Sequence, residues 1–226
     1  MKILESLGIQ VRAYTRAIGP VSISEENIDI SVAKESPLQM PDKKASLQAE
    51  EYLAGLMKEG DSAGGLIECV VDGMMPGIGE TVFDKLDASL AKGIFSIGAV
   101  KGVEIGEGFG VCTSTGSQNN DAFYLKPGGT VGKKTNFSGG ILGGISDGSQ
   151  IVIRAAIKPT PSITKEQDTV NQQNETIQVS IKGRHDPVIV PRAVVVVEAM
   201  TAITLVDEIF VGMSSRMDRI VEYYRK

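Results

Sequence analysis

The sequence predicts a protein of the α+β class. Apolar residues alternate with polar ones over residues 9–17, as in a half-buried strand, and recur at helical spacing over residues 42–57. Further strand-like and helix-like segments follow without the strict alternation of a parallel βαβ protein. We therefore expect one domain over residues 1–226, with residues 213–226 as a C-terminal tail or helix.

The N-terminal third is predicted to contain a short helix, a strand and a long helix. Residues 1–7 resemble the last turns of a helix, and the strand over residues 9–17 ends at the Gly-Pro pair 19–20. Asp42 is a good N-cap for a helix of about four turns, and Gly60 ends that helix. Residues 24–41 are polar and rich in turn residues, which predicts a surface connection.

The remaining elements are predicted from apolar runs and their spacing. Residues 64–77 indicate a strand closed by a Pro-Gly turn, and the apolar residues between Phe83 and Phe95 indicate an amphipathic helix. Residues 191–210 are long enough for a buried helix with proline in its first turn. Three more strands are predicted, over residues 102–112, 151–157 and 176–182.

Composition excludes several classes of function. A net charge of −5 and an aromatic content of 5% argue against nucleic acid as a partner. The longest apolar run, residues 193–197, is too short to span a membrane, so a cytoplasmic protein is expected. Cys69 and Cys112 lack the spacing of a zinc site; we predict that both are buried small hydrophobic residues, with no metal bound.

Residues 135–148, written TNFSGGILGGISDG, are the glycine stretch. Its Gly139, Gly140, Gly143 and Gly144 disfavour a regular helix or strand but allow positive φ and close approach of another backbone or a ligand. Two interpretations stay open here: tight packing of backbone on backbone, or a cradle of N–H groups for a flat or phosphorylated ligand.

Two shorter motifs carry polar groups in turn-like contexts. Lys158-Pro159-Thr160-Pro161-Ser162 follows a predicted strand, and its cation and hydroxyls suit a phosphate, although a plain surface turn has the same composition. Residues 183–187, GRHDP, contain Arg184, which suits an anion, and Asp186, which could transfer a proton if burial raises its pKa. A solvated turn is the alternative for this motif, and a structural role is the alternative for His185.

Taken together, these segments resemble chorismate synthases. The matching strings run in the family's order and span residues 61 to about 210. They are DSAGG at 61, VVDGMMPGIGE at 70, FDKLDASLAKG at 83, AVKGVEIGEGF at 99, TGS at 115, TNFSGGILGGISDG at 135, KPTPSI at 158, GRHDP at 183 and RAVVVVEAM at 192.

The resemblance implies a layered sandwich of antiparallel sheets and helices, assembled as a tetramer. It implies elimination of phosphate from 5-enolpyruvylshikimate 3-phosphate to give chorismate, a step of aromatic amino-acid biosynthesis that uses reduced FMN, and an association with NADP. The family's FMN contacts map onto Gly98, Ala99, Gly143, Lys158, Pro159, Thr160, Pro161, Ser162 and Arg184.

Asp186 matches an aspartate near the flavin N5 that assists proton movement. Pro161 stands where the family has a small residue, and Gly98 where it commonly has asparagine or proline.

The resemblance also implies that an N-terminal part of the family chain is absent from these residues. That part, roughly a small domain in size, carries a GDSHG-like segment, substrate-binding arginines and an RSSARE-like segment. We therefore expect little turnover unless a separate N-terminal fragment is supplied. The alternative is a non-catalytic module that binds flavin or supports assembly.

Overall fold

The computed structural model describes residues 1–183 and 185–225 and has an α+β fold, as predicted. Seven helices and eleven strands lie in these residues. The helices are α1 Lys2–Ser6, α2 Ile30–Ala33, α3 Lys43–Glu59, α4 Leu86–Phe95, α5 Gly116–Asn119, α6 Val190–Met213 and α7 Met217–Tyr224. The strands are β1 Gln10–Ile18, β2 Val21–Ser22, β3 Gly65–Asp72, β4 Val100–Ile105, β5 Phe123–Leu125, β6 Val131–Lys133, β7 Ile141–Leu142, β8 Ile145–Ser146, β9 Ile151–Ile157, β10 Gln167–Val170 and β11 Thr176–Val179.

The main sheet has five strands in the order β2-β1-β3-β9-β4. Three separate antiparallel hairpins, β5-β6, β7-β8 and β10-β11, complete the strand pairing in the described residues. On β9 the odd-numbered residues are buried and the even-numbered residues are half-buried, because successive side chains of a strand point to opposite faces.

The chain divides into two compact units. Unit 1 comprises Met1–Ala13, Glu68–Ala155 and Val196–Lys226, and unit 2 comprises Tyr14–Ile67 and Ala156–Val195. In unit 1, Leu86, Leu90 and Ile94 bury one face of α4 completely. A Cβ at Gly93 would lie 2.6 Å from the Thr204 hydroxyl oxygen, so this glycine permits close packing of α4 on α6.

In unit 2 the long helix α3 forms as its sequence predicts. The Asp42 side chain accepts hydrogen bonds from the N–H groups of Lys44 and Ala45, so it caps the first turn. Gly60 ends the helix in the left-handed conformation, with φ of 70°. Ala45, Ala49 and Leu53 are buried, which makes this the core-facing side of the helix.

The sequence prediction was wrong for one strand and one cysteine of unit 1. The strand predicted over residues 102–112 ends at Ile105, because positive φ values at Gly106 and Gly108 turn the chain into the 3-10 helix Gly108–Thr113. Cys112 lies in that helix and is exposed, whereas Cys69 on β3 is buried as predicted. Burial raises the pKa of the Cys69 thiol to about 12, which keeps it protonated and unreactive.

The helix predicted to include Phe83 begins three residues later. Leu86 is its first residue, and Phe83 precedes it with a φ of 59° and a side chain that is 89% exposed. At the C-terminus, Met217–Tyr224 is the helix α7. None of the helices in residues 1–183 and 185–225 combines the length and the apolar character needed to cross a bilayer.

Candidate functional site

The candidate site residues fall in both units, and each group is described within its own unit. Gly98, Ala99 and Gly143 belong to unit 1, whereas residues 158–162 and Asp186 belong to unit 2. Arg184, the remaining candidate for FMN binding, lies outside the described residues.

The glycine stretch of unit 1 folds into the β7-β8 hairpin. Leu142 pairs with Ile145, and the two residues between them, Gly143 and Gly144, have φ values of 60° and 89°. Positive φ at both central residues is typical of a type I′ turn, which favours glycine. The pair of glycines is therefore explained locally by the turn.

Three glycines of the stretch pack tightly against backbone. A Cβ at Gly139 would lie 2.3 Å from the nitrogen of Gly106, and Cβ atoms at Gly140 and Gly144 would each lie 2.6 Å from a carbonyl oxygen. Gly143 differs, because a Cβ there would meet nothing within 4 Å. Backbone packing thus accounts for Gly139, Gly140 and Gly144, and Gly143 is the glycine open to another molecule.

A buried ion triad, Lys133, Asp121 and Asp147, adjoins the glycine stretch. The Lys133 Nζ lies 2.7 Å from Asp147 Oδ2 and 3.3 Å from Asp121 Oδ2. The side chains of Lys133, Asp121 and Asp147 are only 4%, 5% and 11% exposed. The sequence analysis missed this triad, since the residues are far apart along the chain and no motif links them.

The two carboxylates of the triad are held in the charged form. Burial raises the pKa of Asp121, but hydrogen bonds from Ser138, Thr135 and the Phe137 N–H together bring it well below its ordinary value. Burial likewise raises the pKa of Asp147, and hydrogen bonds led by that from Lys133 lower it further than burial raises it. Both carboxylates therefore remain ionised at neutral pH.

Gly98 and Ala99 lie in the short connection between α4 and β4. Ala99 has a φ of 72°, a left-handed conformation that is uncommon for a residue with a side chain. Such strain tends to occur at functional sites. Gly98 is exposed, and a Cβ there would meet nothing within 4 Å, so this backbone is also accessible.

In unit 2, residues 158–162 follow directly after β9. The Thr160 carbonyl accepts a 2.7 Å hydrogen bond from the Ser62 hydroxyl, which ties the loop to the residues after α3. A Cβ at Gly64 would lie 2.6 Å from the Ile157 carbonyl oxygen, so glycine allows this close approach. Lys158 is exposed and has no ion pair with any residue in the described part of the chain.

The Thr160 hydroxyl has an unmet hydrogen-bonding requirement. Its oxygen is buried and has no hydrogen-bond partner among the described residues. A buried polar atom without a partner is unfavourable by about 1–3 kcal/mol, which makes a ligand a natural partner. This atom, the exposed Lys158 and the neighbouring Ser162 fit a phosphorylated group.

A pocket of about 220 Å³ lies within unit 2. Met57, Ile163 and Pro187 contribute apolar surface to it, and Asp61 and Ser62 line it along with Asp186. The remaining lining residues are Gly60, Thr164, Gly183 and His185. The pocket therefore combines a small apolar surface with two carboxylates, two hydroxyls and an imidazole.

Both carboxylates of the pocket have cationic partners. Asp61 accepts a 3.1 Å hydrogen bond from the Lys165 Nζ, and Asp186 accepts a 2.6 Å hydrogen bond from Arg192 Nη1. The N–H of Ser62 and, next, the Lys165 ammonium lower the pKa of Asp61. Arg192 and Asp186 are 74% and 36% exposed, so this ion pair is solvated.

The described residues of the pocket do not form a Ser-His-Asp nucleophile arrangement. The Ser62 hydroxyl donates to Thr160, and His185 Nε2 lies 3.0 Å from the Ile181 carbonyl oxygen. A carbonyl only accepts, so Nε2 must carry the hydrogen in this contact. Asp186 is half-buried beside an exposed arginine, so the proton-transfer role predicted for it stays a prediction. In residues 1–183 and 185–225, no cluster of three or more potential ligands suits a metal ion.

The comparisons with known proteins all identify the same family. A family model described as chorismate synthase matches residues 1–210. The chain is 60% identical over 226 residues to a chorismate synthase of Lachnospira eligens, covering 100% of this chain and 62% of that protein. It is also 60% identical over 224 residues to a chorismate synthase of Lachnoclostridium phytofermentans, covering 99% of this chain and 61% of that protein.

A solved structure described as the crystal structure of chorismate synthase matches the fold. The TM-score is 0.78 at 28% sequence identity, and the match covers 99% of this chain and 64% of that one. The chain thus spans somewhat less than two thirds of the length of the relatives that it matches. The agreement of the family model, the relatives and the fold shows that this chain belongs to the chorismate synthase family.

Proposed function

We propose that this chain contributes the flavin-binding part of a chorismate synthase, a lyase of the shikimate pathway. The reaction eliminates phosphate from 5-enolpyruvylshikimate 3-phosphate to give chorismate. The observation that carries the proposal is the 60% identity along all 226 residues to a chorismate synthase.

Reduced FMN is the proposed cofactor, and it supplies electron density when phosphate leaves. The residues present fit such a group. In unit 2, the exposed Lys158 and the Thr160 hydroxyl, which has no partner among the described residues, suit its phosphate. Gly98 and Gly143 of unit 1 are proposed as FMN contacts on the family resemblance, and the backbone of both is exposed. Ala99 keeps a strained conformation beside Gly98, as at other binding sites.

The loop over residues 158–162 has little backbone freedom, so it would hold the cofactor in one geometry. Pro159 and Pro161 each fix a φ angle, which leaves Lys158, Thr160 and Ser162 to present a cation and two hydroxyls. Arg184 is proposed as a further FMN contact on the family resemblance alone.

Asp186 is the proposed site of proton movement. Its carboxylate lines the pocket and accepts a hydrogen bond from Arg192. A positioned carboxylate can accept or donate a proton at a flavin nitrogen or through a water molecule. Removing the carboxyl function, as in Asp186→Asn, should lower turnover more than cofactor affinity.

We further propose that the protein works as a homo-oligomer, a tetramer by family resemblance, in the cytoplasm. In unit 1, α6 exposes Val196, Ile203 and Phe210, and exposed apolar side chains of this kind favour association. An anaerobic assay with chemically reduced FMN does not depend on how the flavin is reduced in the cell, with or without NADP.

The test is an anaerobic assay of chorismate formation from 5-enolpyruvylshikimate 3-phosphate with reduced FMN. The chain is assayed alone and mixed with the part of the Lachnospira eligens protein that lies outside the match. We expect turnover in the mixture and little by the chain alone, since it spans 62% of that protein. Asp186→Asn should abolish most of the activity of the mixture.

Two results would contradict the proposal in different ways. Flavin binding without turnover in either sample would favour the non-catalytic flavin-binding or assembly module. Full turnover by the chain alone would show that a separate fragment is unnecessary.

A further inference from the structure

The ion triad of Lys133, Asp121 and Asp147 is not used by the proposed chemistry, although it is the most buried ionic group around the glycine stretch. Its members come from three places: Asp121 lies two residues before β5, Lys133 is the last residue of β6 and Asp147 follows β8 directly. A fully satisfied buried ionic group is weak evidence for stability, since apolar residues of similar size are often as stable. Its directional contacts can instead fix one geometry.

The triad holds the start of the glycine stretch. Asp121 Oδ1 accepts hydrogen bonds of 2.7 Å from the Thr135 hydroxyl and 2.8 Å from the Phe137 N–H. Asp121 Oδ2 accepts a 3.0 Å hydrogen bond from the Ser138 N–H, and Lys133 Nζ donates to the Ser138 hydroxyl at 2.7 Å. The Asp121 carboxylate and the Lys133 ammonium therefore both hold residues 135–138 in place.

The triad also holds the end of the same stretch. Asp147 Oδ2 accepts from Lys133, Asp147 Oδ1 accepts a 2.8 Å hydrogen bond from the Ser149 N–H, and the Asp147 N–H donates to the Gly140 carbonyl at 3.0 Å. One lysine thus joins the two ends, and the open Gly143 turn lies between them.

The charge of the triad is balanced by backbone donors. One ammonium faces two carboxylates, and the N–H groups of Phe137, Ser138 and Ser149 donate to the carboxylate oxygens. Replacing Lys133 by an apolar residue would leave two buried carboxylates near each other, and like charges repel. Both ends of the stretch would then lose their shared attachment.

We propose that Lys133 is a positioning residue which, through Asp121 and Asp147, fixes the Gly143 turn in the geometry that contacts the flavin. This inference rests on the proposed function in assigning Gly143 to the cofactor. Lys133 itself touches neither cofactor nor substrate, so its effect is on the shape and rigidity of the turn.

The test compares Lys133→Met with Lys126→Met. Lys126 lies in the same β5-β6 hairpin but is exposed, and it has no ion pair with a described residue, so it is a matched control. Two quantities are measured on the full chain: hydrogen exchange of the amides of residues 141–146 without cofactor, and the Kd for FMN. We expect Lys133→Met to raise both by about tenfold or more, with exchange in β9 unchanged, and Lys126→Met to change neither.

A rescue variant separates positioning from general folding. Lys133→Arg keeps a cation that can bridge two carboxylates, so it should restore both quantities to within about threefold of the wild type. If Lys133→Met does not fold, Asp147→Asn gives the milder disruption, and the same two quantities are measured on it.

Several results would overturn the inference. They are unchanged exchange over residues 141–146 in Lys133→Met, an unchanged Kd despite faster exchange, or faster exchange in β9 to the same extent as in the turn. If the wild-type chain does not bind FMN, the proposed cofactor site fails and so does the assignment of the turn to flavin. The exchange data would then still report separately whether the triad rigidifies the turn.

Discussion

The glycine stretch of unit 1 and the pocket of unit 2 are held in opposite ways. Residues 135–148 are fixed by a buried ion triad and by glycines that pack directly on backbone. The pocket is lined by Asp61 and Asp186, whose partners Lys165 and Arg192 are mostly exposed. The first region is therefore expected to be rigid before any ligand binds, whereas the second can adjust, because solvated ion pairs contribute little to stability.

Breaking the ion triad should give the largest effect. Asp121→Ala leaves a buried ammonium with one fewer carboxylate and several donors without an acceptor, so the free energy of unfolding should fall by about 3–5 kcal/mol. The matched change in the pocket, Asp61→Ala, should shift the midpoint of urea denaturation only slightly. Equal shifts for the two variants would contradict the contrast.

Adding a methyl group to the glycine stretch should distinguish its glycines. Gly139→Ala would place a Cβ 2.3 Å from the Gly106 nitrogen. Such overpacking should lower the free energy of unfolding by about 1–3 kcal/mol.

Gly143 is the matched control for Gly139, because a Cβ there would have no atom within 4 Å. Gly143→Ala should be unfavourable by only about 1 kcal/mol, from its positive φ alone. Thermal unfolding of both variants measures the difference, and a larger loss at Gly143 would refute the packing described for the stretch.

Acid should affect the rigid region through its carboxylates. The pKa values of Asp121 and Asp147 are lowered in the folded protein, so they stabilise it above the ordinary aspartate pKa of about 3.9. That stabilisation should be lost as the pH falls from about 5 through the lower folded pKa values.

The control for the acid prediction is Asp121→Asn. Denaturation midpoints measured between pH 6 and pH 3 should fall less steeply for this variant than for the wild type. Parallel curves would show that Asp121 does not contribute to the acid dependence.

The smallest effect is expected from the exposed ion pair of the pocket. Lys165→Met removes the cation beside Asp61 but leaves that carboxylate in water, so no measurable change in the denaturation midpoint is expected. Raising the salt concentration should likewise have no effect on this pair that a denaturation curve can detect. A clear loss of stability would mean that the pocket is more rigid than its exposure indicates.

The sequence predicts local features of the fold well and long-range polar contacts poorly. The Asp42 cap, the end of α3 at Gly60 and the strand β9 were predicted correctly, because each depends on neighbours in the chain. The hairpins β5-β6 and β7-β8 were not predicted, since their strands have only two or three residues. Apolar periodicity cannot be read from such short segments.

In the candidate site, too, local motifs could be predicted from the sequence and long-range polar contacts could not. Lys158, Thr160 and Asp186 could be selected by residue type and motif, whereas Lys133 and its carboxylates could not, because Asp121 and Asp147 are brought to Lys133 only by the fold. Cys112 is the opposite case: its apolar character predicted burial, but the turn after β4 leaves it exposed. Residue type alone therefore overestimates burial wherever glycine redirects the chain.

The most direct measurement for the proposed function is a titration of the purified chain with FMN, oxidised and dithionite-reduced, followed by flavin absorbance. We predict saturable binding that weakens in Lys158→Ala but not in Lys58→Ala, where Lys58 is an exposed lysine on α3. A Kd of about 1 mM corresponds to a binding free energy of about −4 kcal/mol. Absence of binding at such concentrations would contradict the proposed cofactor site. Equal affinities of the two variants for FMN would show that Lys158 does not contribute to the cofactor site.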